Sequence, residues 1–247
     1  MREPEDPLAA IRRNPDRTAI LLDFDGSLSE IVEHPDLARP VEGVREVLGD
    51  LAARYLLVAM VSGRPTEDLQ RLLGVPSVRY AGHYGRLVDQ APLTRRARER
   101  AAAAARGLEG VWVEDKGESL AVHYRLAADP AAARAALMGS LADIARGEGL
   151  DLIEGKMVLE LVQGNASRKG EAVVRLVREA DAAAALFAGD DLADLEAFRA
   201  LDGLRREGVA VVKVAVRGRE TPPALMEAAD VAVDGPGGLV DLLRGLL

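Results

Sequence analysis

Residues 19–31 read AILLDFDGSLSEI. Four apolar residues run directly into Asp23-Phe24-Asp25-Gly26. A short apolar run closed by a turn residue is the pattern of a strand buried on both faces, as in a parallel sheet. Ending such a strand on two carboxylates sets like charges side by side, which costs stability unless each has a partner. Outward from this stretch, helical and extended patterns alternate. VEGVREVLGDLAARY (41–55) reads as a helix and LLVAMVSGR (56–64) as a second buried strand. PTEDLQRLLG (65–74) reads as a helix opening on Pro65, and VRYAGHYG (78–85) as a third strand. Repeated β-α-β patterning predicts an α/β fold with a parallel, doubly wound sheet.

The middle of the chain has a different rhythm. LTRRARERAAAAARGLEG (93–110) is helical, and VWVEDKGESLAVHYRLA (111–127) reads as a hairpin turning near Lys116-Gly117-Glu118. DPAAARAALMGSLADIARGEG (129–149) is a second helix with Asp129 as its N-cap before Pro130. LDLIEGKMVLELVQ (150–163) is another hairpin, expected to turn near Glu154-Gly155. This α-ββ-α-ββ order predicts a small antiparallel sheet backed by two helices. From about residue 165 the first rhythm returns: KGEAVVRLVREA helical, AALFAGDD extended, LADLEAFRAL helical, then VAVVKVAV and DVAVDG extended and GGLVDLLRGLL helical. The expected organisation is a core of residues 1–88 and 164–247 with an inserted α+β domain at 89–163, hinged at RLVDQAP and QGNASR. The alanine runs at 101–105 and 182–185 read as helix filler, and no repeat with a period of 20–50 residues is present.

Composition narrows the function classes. Of 247 residues, 49% are hydrophobic and 29% charged, enough apolar residues for a packed core. A net charge of −8 argues against nucleic acid as a partner, because phosphate backbones need a basic face. The absence of cysteine excludes disulfides, thiolate catalysis and cysteine metal sites. The opening MREPEDPLAAIRRNPDR lacks the apolar stretch of a signal peptide, and no apolar run reaches membrane-spanning length. The default expectation is a soluble cytoplasmic protein with no membrane partner.

In a parallel sheet, ligands bind beyond the carboxyl ends of the strands. The first strand ends in Asp23 and Asp25, and the second in Ser62-Gly63-Arg64. A strand after the insertion ends in Gly189-Asp190-Asp191 with Asp194 near by, and Lys169 begins the preceding helix. Four segments thereby bring acids, a hydroxyl and a cation to one edge. Clustered carboxylates need a cation, and oxygen-only ligation points to Mg²⁺, a usual partner of substrate phosphates. Lys169 and Ser62 are then placed to bind phosphoryl oxygens.

DFDGS, VSGR, SRKGEAV and GDDLADLEAF together resemble the four motifs of the haloacid dehalogenase superfamily of phosphatases, whose doubly wound core often carries an inserted cap. The resemblance implies that Asp23 attacks phosphorus to form an aspartyl-phosphate, that Asp25 serves as acid and base, and that Ser62 and Lys169 steady the phosphoryl group. It further implies that Asp23, the Asp25 carbonyl and Asp190 hold Mg²⁺, with Asp191 and Asp194 supporting them. YAGHYG, VEDKGESLAVHYR, EGKMVLEL and AGDDLADLEAF resemble the trehalose-6-phosphate phosphatase family over roughly residues 18–245. That likeness implies hydrolysis of trehalose 6-phosphate, with Glu114, Lys116 and Glu160 on the sugar and Arg64, His83 and Arg125 as further candidates for the pocket. Its pathway partner would be a trehalose-6-phosphate synthase. Two departures stand out: Ser27 replaces the usual Thr after DxDG, and Ala193 and Leu195 replace the Thr and Glu of the GDDxTDE version.

Strand geometry supports the cap reading separately. Glu114 and Lys116 are two apart and share a face, and Lys156, Val158 and Glu160 do likewise. The chain has only four lysines, Lys116, Lys156, Lys169 and Lys213, and three fall in these motifs. Taken singly, each motif has a plainer reading. GDD is an ordinary N-cap pair, VSGR ordinary turn chemistry, and Glu114–Lys116 an exposed cross-face pair. His83 and His123 read as structural histidines; Trp112 alternates with Glu114 and reads either as the floor of a sugar pocket or, preferred here, as core. Three rival functions stand beside the phosphatase reading: a glucosyl- or mannosyl-3-phosphoglycerate phosphatase, a phosphosugar mutase, and a non-catalytic sugar-phosphate-binding module.

Overall fold

The computed structural model describes residues 6–85, 92–117, 119–163 and 169–247. The chain divides into two compact units, Met1–Arg86 with Ser167–Leu247, and Leu87–Ala166. Both expected hinges fall largely outside the described residues, as does Glu118 of the expected 116–118 turn.

The first unit opens with a short helix α1 (Ala9–Arg13), then β1 (Thr18–Leu22), α2 (Val44–Arg54), β2 (Leu57–Val61), α3 (Thr66–Leu73) and β3 (Arg79–Ala81). The second unit holds α4 (Arg95–Ala105), β4 (Trp112–Asp115), β5 (Ser119–His123), α5 (Pro130–Glu148), β6 (Leu150–Gly155) and β7 (Val158–Gln163). The chain then completes the first unit with α6 (Lys169–Glu179), β8 (Ala184–Gly189), α7 (Leu192–Arg206), β9 (Ala210–Arg217), α8 (Pro223–Ala228), β10 (Val231–Asp234) and α9 (Gly235–Arg244).

The six strands of the first unit lie in the order β10-β9-β8-β1-β2-β3, every pairing parallel. Every residue of β1 is buried. Alternation along β1 divides its side chains between two apolar layers. Ile20 and Leu22 pack with Leu48 and Leu51 of α2, Leu69 of α3 and Leu243 of α9. Ala19 and Leu21 pack with Val173 of α6, Phe198 and Leu201 of α7 and Leu225 of α8. Helices on both faces are what the unbroken apolar run of β1 requires. Chain order moves outward from β1 in both directions, through β2 and β3 on one side and β8 to β10 on the other. The sheet therefore has its switch point at β1, where a crevice opens beyond the strand ends.

The second unit is an antiparallel sheet in the order β4-β5-β7-β6. One face carries Leu120, Val122, Leu159 and Leu161, which pack on Leu137, Leu141 and Ile144 of α5 and on Ala97 and Ala101 of α4. The Asp129 side chain accepts the Ala132 N–H at 2.9 Å, with Pro130 opening α5, as the sequence indicates.

Three local expectations differ from the structure. The second hairpin turns at Lys156-Met157, because Gly155 pairs with Val158 and Met157 takes φ 58°. Lys156 is thereby in a turn and not on the strand face with Val158 and Glu160. The alanine run at 182–185 leads into β8 instead of filling a helix: Ala184 and Ala185 pair with β1, where only small side chains are needed to bring helices close to the sheet. The third strand stops at Ala81, since His83 and Tyr84 adopt φ 48° and 58° and wind the chain into a turn.

Each unit has its own core, so the two need not unfold together. Leu137→Ala, at a fully buried position of α5, is expected to destabilise the second unit by about 2–5 kcal/mol. Urea unfolding followed by hydrogen exchange should show early loss of protection within residues 93–163 while β1 and β8 stay protected.

Candidate active site

β1 and β8 are neighbours in register, so the residues after Leu22 and Gly189 emerge side by side. The Asp23 N–H donates to the Ala188 carbonyl at 3.0 Å, carrying the ladder one step beyond β1. Carboxylate oxygens of Asp23, Asp190 and Asp194 lie within 4.8 Å of one another, and all three residues are buried. Asp194 is in the first turn of α7. Its Oδ2 accepts the N–H groups of Asp190 at 2.7 Å and Asp191 at 2.9 Å, while Asp191 Oδ1 accepts the Asp194 N–H at 3.0 Å. This reciprocal capping box fixes the Gly189-Asp190-Asp191 turn against α7. Two glycines make room for the cluster. A Cβ on Gly26 would stand 2.1 Å from Asp190 Oδ2, at φ 86°, and one on Gly189 would stand 2.1 Å from Asp194 Cγ.

Lys169 begins α6 and is 2% exposed. Its Nζ lies 2.6 Å from Asp23 Oδ1 and 2.5 Å from Asp194 Oδ1. The rings of Tyr84 and Phe187 each stand 5.9 Å from the ammonium. Burial works to lower the lysine's pKa, but the carboxylates of Asp194, Asp23 and Asp191 outweigh it and hold the group well above its usual value. Burial pushes the Asp23 carboxyl up to about 7; Lys169 pulls it down while Asp191 and Asp190 push it further up.

The charge balance tests the fit of a metal. Three clustered carboxylates facing one ammonium leave a net charge of −2 when all are ionised (−3 + 1). Such a charge is not sustained away from water. A divalent cation balances it, and a donor set made only of oxygens suits Mg²⁺.

The Ser62-Gly63-Arg64 turn follows β2, the parallel neighbour of β1. Ser62 is buried, its Oγ accepts the Arg64 N–H at 3.3 Å, and its carbonyl accepts the Tyr84 N–H at 2.9 Å. The His83 N–H donates to the Arg64 carbonyl at 2.9 Å. The left-handed His83-Tyr84 turn is thus the clamp that shapes the Ser62–Arg64 segment. The Arg64 side chain runs to Asp25, not into open space: its Nε and Nη2 donate to the two carboxylate oxygens at 2.7 and 2.8 Å.

In the second unit, the sheet face opposite the apolar layer is polar. Lys116 Nζ lies 3.3 Å from Glu160 Oε1 and 4.0 Å from Glu114 Oε2. The Ser119 hydroxyl donates to Glu160 Oε1 at 2.7 Å, and His123 Nε2 stands 2.9 Å from Glu114 Oε2. Trp112 is half-buried and stacks on His123, ring centroids 4.1 Å apart and planes 8° from parallel. Trp112 therefore belongs to this polar face and not to the core, because strand pairing sets it opposite His123 on the side the helices leave uncovered. Arg125 Nη2 donates to the Lys156 carbonyl at 3.2 Å, tying these two to the hairpin end.

The sequence raises Trp112 as a neighbour of Glu114 without deciding its face, and gives no place in these constellations to Tyr84, Ser119 or His123. Ser119 and His123 were legible in it: they alternate with Ala121, which pairs with both Glu114 and Glu160. Tyr84 carried no signal, since its place beside Lys169 depends on a left-handed turn in non-glycine residues.

A doubly wound parallel core with buried acids at its switch point, and an α+β unit within the chain, is the architecture of a haloacid dehalogenase-like hydrolase. A solved hydrolase of that type from Bacteroides thetaiotaomicron superposes with a TM-score of 0.64 at 14% identity, covering 93% of this chain and 99% of that one. The C-terminal domain of trehalose-6-phosphate phosphatase from C. albicans superposes with a TM-score of 0.81 at 22% identity, covering 97% of this chain and 94% of that one. These likenesses concern the fold. The profile of the family described as Trehalose-phosphatase matches residues 21–230, and the chain belongs to that family. The trehalose-phosphate phosphatase of Mycobacterium marinum is 34% identical over 240 residues, covering 86% of this chain and 59% of that protein. The chain thus spans less than two thirds of that relative.

The space around Lys169 is shaped for a single ammonium. Lys169→Arg is expected to lower stability by about 1–3 kcal/mol through overpacking, read as a shifted urea midpoint with an unchanged slope.

Proposed function

We propose that the protein is a Mg²⁺-dependent phosphatase that hydrolyses trehalose 6-phosphate to trehalose and phosphate. The observation that carries this reading is the buried meeting of Asp23, Asp190, Asp194 and Lys169 at the switch point of the sheet. Membership of the Trehalose-phosphatase family supports the substrate. Residues 1–88 and 164–247 are read as the catalytic core and 89–163 as the cap that recognises the sugar.

In this reading an Asp23 oxygen attacks phosphorus as the bond to the sugar oxygen breaks. Asp25 gives its proton to that oxygen, and trehalose leaves. Water then attacks the aspartyl-phosphate, Asp25 takes the water's proton, and phosphate leaves with the Asp23 carboxylate restored. The Ser62 hydroxyl and Lys169 bind phosphoryl oxygens through both steps. Asp23, the Asp25 carbonyl and Asp190 would hold Mg²⁺, which would supply neutralisation of the phosphoryl charge. Asp191 and Asp194 keep the Asp190 turn in place. Glu114, Lys116 and Glu160 bind sugar hydroxyls, and the Lys116 ion pairs with Glu160 at 3.3 Å and Glu114 at 4.0 Å support a preformed polar surface for this. A site built for hydroxyls rejects ligands lacking them. A cytoplasmic location beside a trehalose-6-phosphate synthase fits this role; among the described residues no helix is long and apolar enough to cross a membrane.

Phosphate release from trehalose 6-phosphate, glucose 6-phosphate, sucrose 6-phosphate and glucosyl-3-phosphoglycerate tests the reading. Trehalose 6-phosphate should be preferred, and Asp23→Asn should abolish turnover. Preference for another ester sinks the substrate assignment, while turnover that survives Asp23→Asn sinks the chemistry. Metal binding is separable from activity. At Mg²⁺ a hundredfold above its dissociation constant, wild type should gain about 2.7 kcal/mol of stability, seen as a rise in Tm that EDTA reverses and Asp190→Asn removes.

A further inference from the structure

Arg64 follows β2 and is 8% exposed, a rare degree of burial for a guanidinium. It is held on several sides. Nε and Nη2 fork onto Asp25 at 2.7 and 2.8 Å, Nη2 also donates to the Pro35 carbonyl at 3.0 Å, and the guanidinium carbon stands 5.3 Å from the centroid of the Phe24 ring. Its backbone is fixed as well, the N–H by Ser62 Oγ and the carbonyl by the His83 N–H. The Asp25 side chain is 36% exposed, against 9% for that of Arg64. The fixed member of the pair is therefore the arginine, and the carboxyl it grips still faces solvent along one edge.

A planar fork accepts a carboxylate in one plane, so it selects a single Asp25 rotamer. Without it, Asp25 sits on the loop after β1 with several rotamers open to it. General acid catalysis requires the donor oxygen within hydrogen-bond reach of the leaving oxygen, and small misplacements are costly in rate. We propose that Arg64 is a positioning residue that aims the Asp25 carboxyl at the leaving oxygen of the substrate, and is not a contact for the sugar. This inference rests on the phosphatase reading given above.

Leaving-group chemistry tests it. A sugar oxygen must be protonated as its bond to phosphorus breaks, whereas p-nitrophenolate leaves without a proton. The ratio kcat/KM covers steps up to departure of that group, so later use of Asp25 as a base does not enter. Arg64→Met is expected to lose about 10–100-fold more in kcat/KM on trehalose 6-phosphate than on p-nitrophenyl phosphate, with kcat carrying the loss on the sugar ester. Arg64→Lys, which restores charge but not the fork, should recover only part of it. Equal losses on both substrates would overturn the proposal in favour of a phosphate or folding role. A loss confined to KM for trehalose 6-phosphate would overturn it in favour of sugar contact.

A crystal structure of Arg64→Met gives an arm independent of turnover. Asp25 should take more than one orientation; a single unchanged orientation would overturn the proposal. Wild-type turnover of p-nitrophenyl phosphate without turnover of trehalose 6-phosphate would sink the substrate assignment alone, and the crystallographic arm would still decide the role of Arg64.

Discussion

The ammonium of Lys169, 2.6 Å from Asp23 and 2.5 Å from Asp194, is the interaction around which the site is arranged. A buried ion cluster of this kind is a poor source of stability, because desolvating its members offsets much of their attraction. Removing one member is much worse, since the others are stranded without compensation. The cluster thus behaves as a geometric lock. It ties the first residue of α6, the end of β1 and the first turn of α7 to one point, although they come from positions 169, 23 and 194 of the chain. The capping box of α7 and the two glycines under the carboxylates are consequences of holding that point at such close range.

The lock lies at the switch point because the sheet offers no other place for it. Beyond the ends of β1 and β8 a crevice opens at the switch point, next to the backbone N–H groups of the Asp190-Asp191 turn that leads into α7. Those N–H groups meet Asp194 at 2.7 and 2.9 Å. One acid thereby serves both as a helix cap and as a partner of the lysine. In the second unit, polar side chains are arranged differently. The face presented by β4, β5 and β7 rests on a helix-backed apolar layer, so its acids, lysine and stacked rings stand on a rigid platform.

Much of this was legible in the sequence, and the reasons are specific. The unbroken apolar run of β1 and its abrupt change to Asp23-Phe24-Asp25 can be read because a parallel strand is buried on both faces and ends at the crevice. The inserted unit was visible from a change of rhythm alone. What stayed hidden depended on tertiary packing. Period-2 spacing places Trp112 with Glu114, but only the position of α4 and α5 decides which face is core. The Arg64 side chain is long enough to reach several groups, and nothing in VSGR indicates that it turns to Asp25. The alanine run at 182–185 satisfies helix propensity, yet its last two residues belong to β8 and pair with β1, which overrides that preference. The left-handed pair His83-Tyr84 has little signature: histidine is moderately enriched in that conformation, but two successive non-glycine residues there are uncommon.

The pairing of β1 with β8 joins residues 18–22 to residues 184–188. No early segment of the first unit can complete its central ladder until those later residues exist. The unit at 93–163 is contiguous and has its own apolar layer. During synthesis it can therefore reach its native form while β1, β2 and β3 still wait for their missing neighbour. Contacts so distant in sequence slow folding, and the waiting strands expose an unpaired edge. The insertion thereby staggers the folding of the chain in time: the later half of the sheet has to arrive before the earlier half is secure.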